Sequence, residues 1–175
     1  MTKKELALRR ALLFVGVKEH PPGSNRGPDI YRQGKIGGID NWCKRANGLV
    51  GYPWCAAFVC AMYSDVGCPI PEPRRASVGF FLDWARKIGF TVEKPRRGDL
   101  ICYRFDADMW PDHIGIIVRV VTVRWRKGKF FGYVKTIEGN TAWGNDANGG
   151  QVQIRFRWLD GRCAFIRVNC PEIDR

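Results

Sequence analysis

The stretch GYPWCAAFVCAMYSD, residues 51–65, decides how the rest of the chain is read. Pro53 has no amide proton to lose and a φ already fixed near the helical value, so a helix beginning at Trp54 or Cys55 is favoured. Gly67, free to turn left-handed, and Pro69, which cannot continue a helix, put its end near Asp65 or Val66. The residues between, among them Ala56, Ala57, Phe58, Val59, Ala61 and Met62, are apolar or small on most faces, which describes a helix buried in a domain. The run from Trp54 to Tyr63 is too short to cross a bilayer. Cys55 would sit in the first turn, among backbone amides with no intrahelical acceptor and at the positive end of the helix dipole. That setting favours the thiolate, the nucleophilic form. The other reading of the same residue is a small buried hydrophobe.

At 175 residues, 45% hydrophobic and 13% aromatic, the chain is long enough for one domain with a real core. Its net charge of +12 implies attraction to something anionic: nucleic acid, a membrane or cell-wall polymers. The seven cysteines are odd in number and form no CxxC pair, so neither a zinc ribbon nor a disulfide framework is expected. With His20 and His113 the only histidines, no structural metal site is expected either. The basic start and the apolar run at residues 11–17 lead into Lys18 and Glu19 with no small-residue cleavage site. The expectation is a product made without a signal peptide in a cytoplasm, kept reduced there, and delivered to any outer target by another route.

Working outward, Thr2 and Glu5 stand at capping-box spacing, and the leucines that follow predict an amphipathic helix over residues 3–16. Residues 20–51, rich in glycine and proline, read as a long loop with one helical turn near 29–33, and His20 as a surface residue within it. Residues 75–88 predict a second amphipathic helix ended by Gly89. The period then changes. Residues 100–105, 113–126, 129–138, 152–158 and 163–168 are β-branched and aromatic runs, with Lys127 and Gly128 as a hairpin turn. Helices followed by consecutive antiparallel strands predict an α+β domain, the N-terminal helices packed on a single antiparallel β-sheet.

His113 opens one predicted strand, where its ring can stand at the sheet end as a general base; a hydrogen-bonded structural histidine is the alternative. Glu138 and Asn140 lie two apart and share a face if the strand runs on through Gly139; otherwise Gly139 and Asn140 make a turn. Nucleophile, base and a third group that orients the base are what thiol catalysis requires.

Four motifs, PWCAAFV (53–59), GDLICY (98–103), DHIGIIV (112–118) and EGNT (138–141), together resemble in residue and order the CHAP family of cysteine- and histidine-dependent amidohydrolases and peptidases. VGVKEHPPGSNRGPDI (15–30) is similar to the opening of the family's phage-encoded members. The resemblance, which covers roughly residues 10–168, implies a papain-like fold of the NlpC group; with no linker or repeat in the sequence, a single catalytic domain over residues 1–175 and no separate wall-binding domain are expected. It implies a peptidoglycan amidase or endopeptidase of the endolysin type, with Cys55 as nucleophile, His113 as base, Glu138 orienting the histidine and Asn140 in support. The Cys55 amide would contribute to an oxyanion hole; the glutamine that papain has a few residues before its cysteine is missing here, so Tyr52 or a backbone group would serve in its place. Tyr52, Trp54, Trp110 and Trp143 are candidate substrate contacts, core packing being the alternative for the three tryptophans. No cofactor is expected, although Asp106, Asp108 and Asp112 suggest a loop ligand set of the kind with which some members bind calcium. Expected partners are peptidoglycan and, through the basic surface, anionic polymers of the wall or outer envelope, bound by a monomer.

Two other readings remain open. A bacterial wall-remodelling hydrolase would use the same residues. VRWRKGKFFGYVK (123–135) and IRFRW (154–158) interleave cations with aromatics as a nucleic-acid-binding sheet would, or simply as strands with one wet face, and no nucleic-acid partner is expected.

Overall fold

A computed structural model describes residues 1–30, 43–45, 48–71, 76–105, 110–127 and 129–171. In chain order these form helix α1 (Lys3–Leu12), strands β1 (Cys43–Arg45) and β2 (Gly48–Val50), helices α2 (Cys55–Ser64) and α3 (Val78–Lys87), and strands β3 (Thr91–Val92), β4 (Leu100–Tyr103), β5 (His113–Arg126), β6 (Lys129–Thr141), β7 (Gln151–Asp160) and β8 (Ala164–Ile166). β1 and β2 pair as a small hairpin inside what the sequence suggests is loop. The remaining strands make one antiparallel sheet in the order β3-β8-β4-β5-β6-β7. With the helices gathered on it, this is the α+β, papain-like plan expected.

Local chemistry sets the helix limits. Thr2 caps α1 by accepting from the Glu5 amide, and the helix stops at Leu12 because the Gly16 amide turns away to Val152. Ser77 caps α3 in the same way, accepting from Phe80. Every residue of α2 from Cys55 to Tyr63 is buried, and past its end Gly67 takes a φ of +70° while the Cys68 amide returns to the Tyr63 carbonyl. α2 packs on β5 and β6, its apolar side chains meeting Leu100, Cys102, Ile114, Ile116, Ile137 and Ile166. A second apolar cluster, including Ile101, Tyr103, Ile117, Val134 and Leu159, covers the other face of the sheet.

The structure corrects the expectation of a chain without disulfides: Cys68, just beyond α2, is bonded to Cys170 in the C-terminal segment. The two are 102 residues apart, a pairing that no local spacing in the sequence reveals. A cross-link closing so long a loop restricts the unfolded chain, so Cys170→Ala is expected to cost about 4 kcal/mol in a denaturant titration while turnover per folded molecule is kept. Equal stability of oxidised wild type and variant would refute this.

Candidate active site

Cys55 is the first residue of α2 and is 2% exposed. Its helix has no side-chain cap at Trp54, so the amides of the first turn are left for another acceptor. Two glycines bring the sheet to this helix start. A Cβ on Gly139 would lie 2.7 Å from Phe58 Cβ and 2.9 Å from the Trp54 ring, and only a bare backbone lets β6 approach so closely. A Cβ on Gly115 would fall 2.6 Å from Glu138 Cγ, so β5 leaves space there for the Glu138 side chain.

His113, the first residue of β5, is fully buried and pairs across the sheet with Tyr103. Its Nε2 lies 2.9 Å from Glu138 Oε2, and its ring is stacked near Tyr103 and Phe105 at 6.0 and 5.9 Å between centroids. Nδ1 makes no aligned hydrogen bond; Cys55 nevertheless lies close enough to strengthen the ring's hold on a proton. Burial works against the imidazolium, but Cys55 and Glu138 outweigh it and push His113 up to about 9. The ring therefore keeps its proton at neutral pH, oriented through Nε2 by the Glu138 carboxylate and with Cys55 nearby.

Glu138 is fully buried and heavily solvated by protein. Its Oε1 accepts from Thr136 Oγ1 at 2.6 Å, Arg157 Nε at 3.0 Å and Tyr103 Oη at 3.2 Å, and Arg157 Nη2 donates to Oε2 at 2.5 Å. Burial opposes the carboxylate, yet Arg157 and His113 hold it down to about 2. Burial also pushes the Tyr103 hydroxyl well above its usual range, which keeps its proton available for Glu138.

Arg157, on β7, was not among the residues the sequence singled out for the site. It is 7% exposed, forks across both oxygens of Glu138, reaches Asp146 through Nη1 at 2.6 Å, and lies over the Tyr103 and Phe105 rings at 5.4 and 5.5 Å. Burial lowers its proton affinity, but Glu138 and then Asp146 more than restore it, so the guanidinium stays charged.

The remaining candidates divide. Asn140 does not reach His113. A bulge after Glu138 breaks the register to Thr141, Asn140 takes a φ of +58°, and its side chain donates to Asn148 Oδ1 at 3.0 Å and accepts from the Gly150 amide at 3.1 Å. Of the two readings of Glu138 and Asn140 neither holds whole: β6 runs on through Gly139 to Thr141, but past the bulge Asn140 shapes the loop back to Gly150, whose carbonyl accepts from the Glu19 amide. Trp54 is corrected too. It is fully buried, its indole donating to Glu19 Oε1 at 2.8 Å, so it braces the start of α2 and offers no surface to a substrate. Tyr52, Trp110 and Trp143 are exposed, Trp110 packing on Gly79 of α3 and Trp143 lying under the Arg155 guanidinium at 4.5 Å. Arg155 and Arg157 share Asp146, so Trp143 belongs to the rim of the same buried network. Asp112 accepts from the Phe105 amide, while Asp106 and Asp108 lie outside the described residues. Among the described residues no cluster of three metal-ligating side chains occurs.

A cysteine at a helix start, near an imidazole that a buried carboxylate orients, is an arrangement able to carry acyl transfer on the papain plan. The family model for the CHAP domain matches residues 47–140, more than half of the chain and including Cys55, His113 and Glu138, and the chain belongs to that family. Its members are in general hydrolases of the peptidoglycan amidase or peptidase type. No curated protein and no solved structure matched the chain.

Proposed function

We propose that this protein cuts an amide bond of bacterial peptidoglycan by cysteine nucleophilic catalysis and serves as a lysin of the phage endolysin type. The observation that carries the reading is His113, held through Nε2 by Glu138 and close enough to Cys55 at the start of α2 for the cysteine to raise its pKa.

The reaction follows from that geometry as acyl transfer. Cys55 Sγ, as the thiolate whose proton His113 holds, attacks the amide carbonyl carbon, and the electron pair displaced onto oxygen is met by the Cys55 backbone amide. As the tetrahedral centre collapses, the C–N bond breaks and the His113 imidazolium gives its proton to the leaving amine. Water then attacks the thioester, His113 takes its proton, and the C–S bond breaks to release the carboxylic acid. Glu138 keeps one ring nitrogen protonated throughout and stabilises the cationic form.

Mass spectrometry of fragments released from purified peptidoglycan, wild type beside Cys55→Ala, tests the proposal. Intact stem peptides from the wild type alone are the expected product of an amidase, and cleaved stems or bridges that of an endopeptidase. No fragments from any wall type would overturn the hydrolase reading.

A further inference from the structure

Beyond the end of α2 the sheet carries an uncovered face on β5, β6 and β7. Cross-strand register places Arg119, Lys135 and Phe156 in one row and Thr122, Tyr133 and Trp158 in the next, all on the same face. Tyr133, Phe156 and Trp158 are exposed at 42%, 57% and 54% and pack on one another, Tyr133 stacked on Phe156 at 5.1 Å and tilted against Trp158 at 4.7 Å. Arg119 and Lys135 are exposed and form no ion pair with any carboxylate of the described residues. Thr136 and Glu138 alternate with Lys135 along β6 and so point to the opposite face, as Arg157 does on β7. The aromatic and basic surface is therefore separate from the buried network that serves His113.

Solvated aromatic rings in contact, flanked by unneutralised cations, make an apolar shelf with an anion-binding border. Because Tyr133 is taken up against both neighbours, the shelf offers one continuous surface rather than separate slots for bases. That surface suits the CH-rich faces of sugar rings, and the adjacent cations suit carboxylates branching from a glycan. We propose that this sheet face is a second binding surface for polymeric peptidoglycan, with Tyr133, Phe156 and Trp158 against sugar rings and Arg119 and Lys135 against stem-peptide carboxylates. It rests on the hydrolase reading only for its choice of polymer. It would hold the enzyme to the wall between cleavages, and the net charge of +12 favours the same attachment.

The test uses full-length protein in the inactive Cys55→Ala background, pelleted with peptidoglycan sacculi stripped of attached secondary polymers. Phe156→Ala with Trp158→Ala, and separately Arg119→Glu with Lys135→Glu, are each expected to weaken pelleting about tenfold, the charge pair losing its effect at high salt. In the active background the same pairs are expected to leave turnover of a soluble disaccharide-peptide unchanged and to slow digestion of sacculi. Unchanged pelleting by both pairs, with folded protein verified by circular dichroism, would overturn the surface. So would a single-stranded oligonucleotide that displaces sacculi and whose own binding is lost in both pairs, since the face would then be a nucleic-acid surface. Turnover of the soluble fragment judges the hydrolase reading separately, whichever way the pelleting falls.

Discussion

Cys55→Ala and His113→Ala are each expected to reduce peptidoglycan turnover by about 10⁴-fold or more while the protein stays folded. The size of the loss follows from the division of labour around one amide carbonyl. Without the thiol no thioester forms, and without the imidazole the leaving amine has no proton donor among the groups that meet Cys55. Cys55→Ala removes a small side chain and should move the thermal transition little, whereas His113→Ala also takes the ring from Glu138, Tyr103 and Phe105, so its loss is read as kcat per folded molecule. Cys60→Ala is the control: Cys60 is buried in the same helix, and that change should keep most of the activity. Comparable losses in all three variants, measured as kcat on one soluble fragment, would refute a unique nucleophile. Because His113 is pushed up to about 9, the wild-type rate is expected to fall on the alkaline side as the ring loses the proton it donates.

How the site came to be legible differs from residue to residue. Cys55 could be placed because its helix is marked locally: Pro53 before it and Gly67 after it act through their own backbones and need no distant partner. His113 and Glu138 were recognisable through the motifs around them, and the glycines in those motifs have a physical reason, since Gly115 and Gly139 are where β5 makes room for Glu138 and β6 meets α2. Trp54 was misread because a ring beside a nucleophile has no sequence signal for its direction; Glu19, 35 residues earlier, decides it. The Cys68 and Cys170 pairing was hidden for the same reason, the partners meeting only once the whole sheet is formed.

The segment IRFRW shows the limit most clearly. Period-two alternation tells that Arg155 and Arg157 share one face and Phe156 and Trp158 the other, but it does not say which face is inside. The usual preference puts the aromatics in the core and the arginines in water. Here the assignment is reversed, with Arg155 and Arg157 buried and Phe156 and Trp158 exposed. The cause is Glu138 on the neighbouring strand: a buried carboxylate needs a buried cation, and Arg157 is its partner. The same reversal leaves the aromatic rings on the outside, so the buried network and the exposed shelf are two consequences of one choice of face.

Arg157→Ala is accordingly expected to be the most damaging change outside the Cys55 and His113 pair. Removing one partner of a buried ion pair strands the other, so the loss of stability should be about 3–5 kcal/mol. The pH dependence gives the sign that a merely structural role would not. Glu138 is held to about 2 in the folded protein against an ordinary 4.5, so its contribution to stability is present above about 4.5 and is lost as the pH falls through 2. His113 is raised from 6.5 to about 9, so its contribution is present below about 6.5 and is lost as the pH rises through 9. The two together predict greatest stability between 4.5 and 6.5. Arg157→Gln, which keeps much of the volume and removes the charge, should raise the Glu138 pKa and move acid unfolding to higher pH. It should also lower kcat more than it raises KM, because a protonated Glu138 no longer supports the imidazolium. Arg157→Lys should restore part of both, since one ammonium supplies the charge but cannot fork across both carboxylate oxygens. If Arg157→Gln unfolded in acid at the same pH as wild type, Arg157 would be a packing residue and not the group that keeps Glu138 ionised.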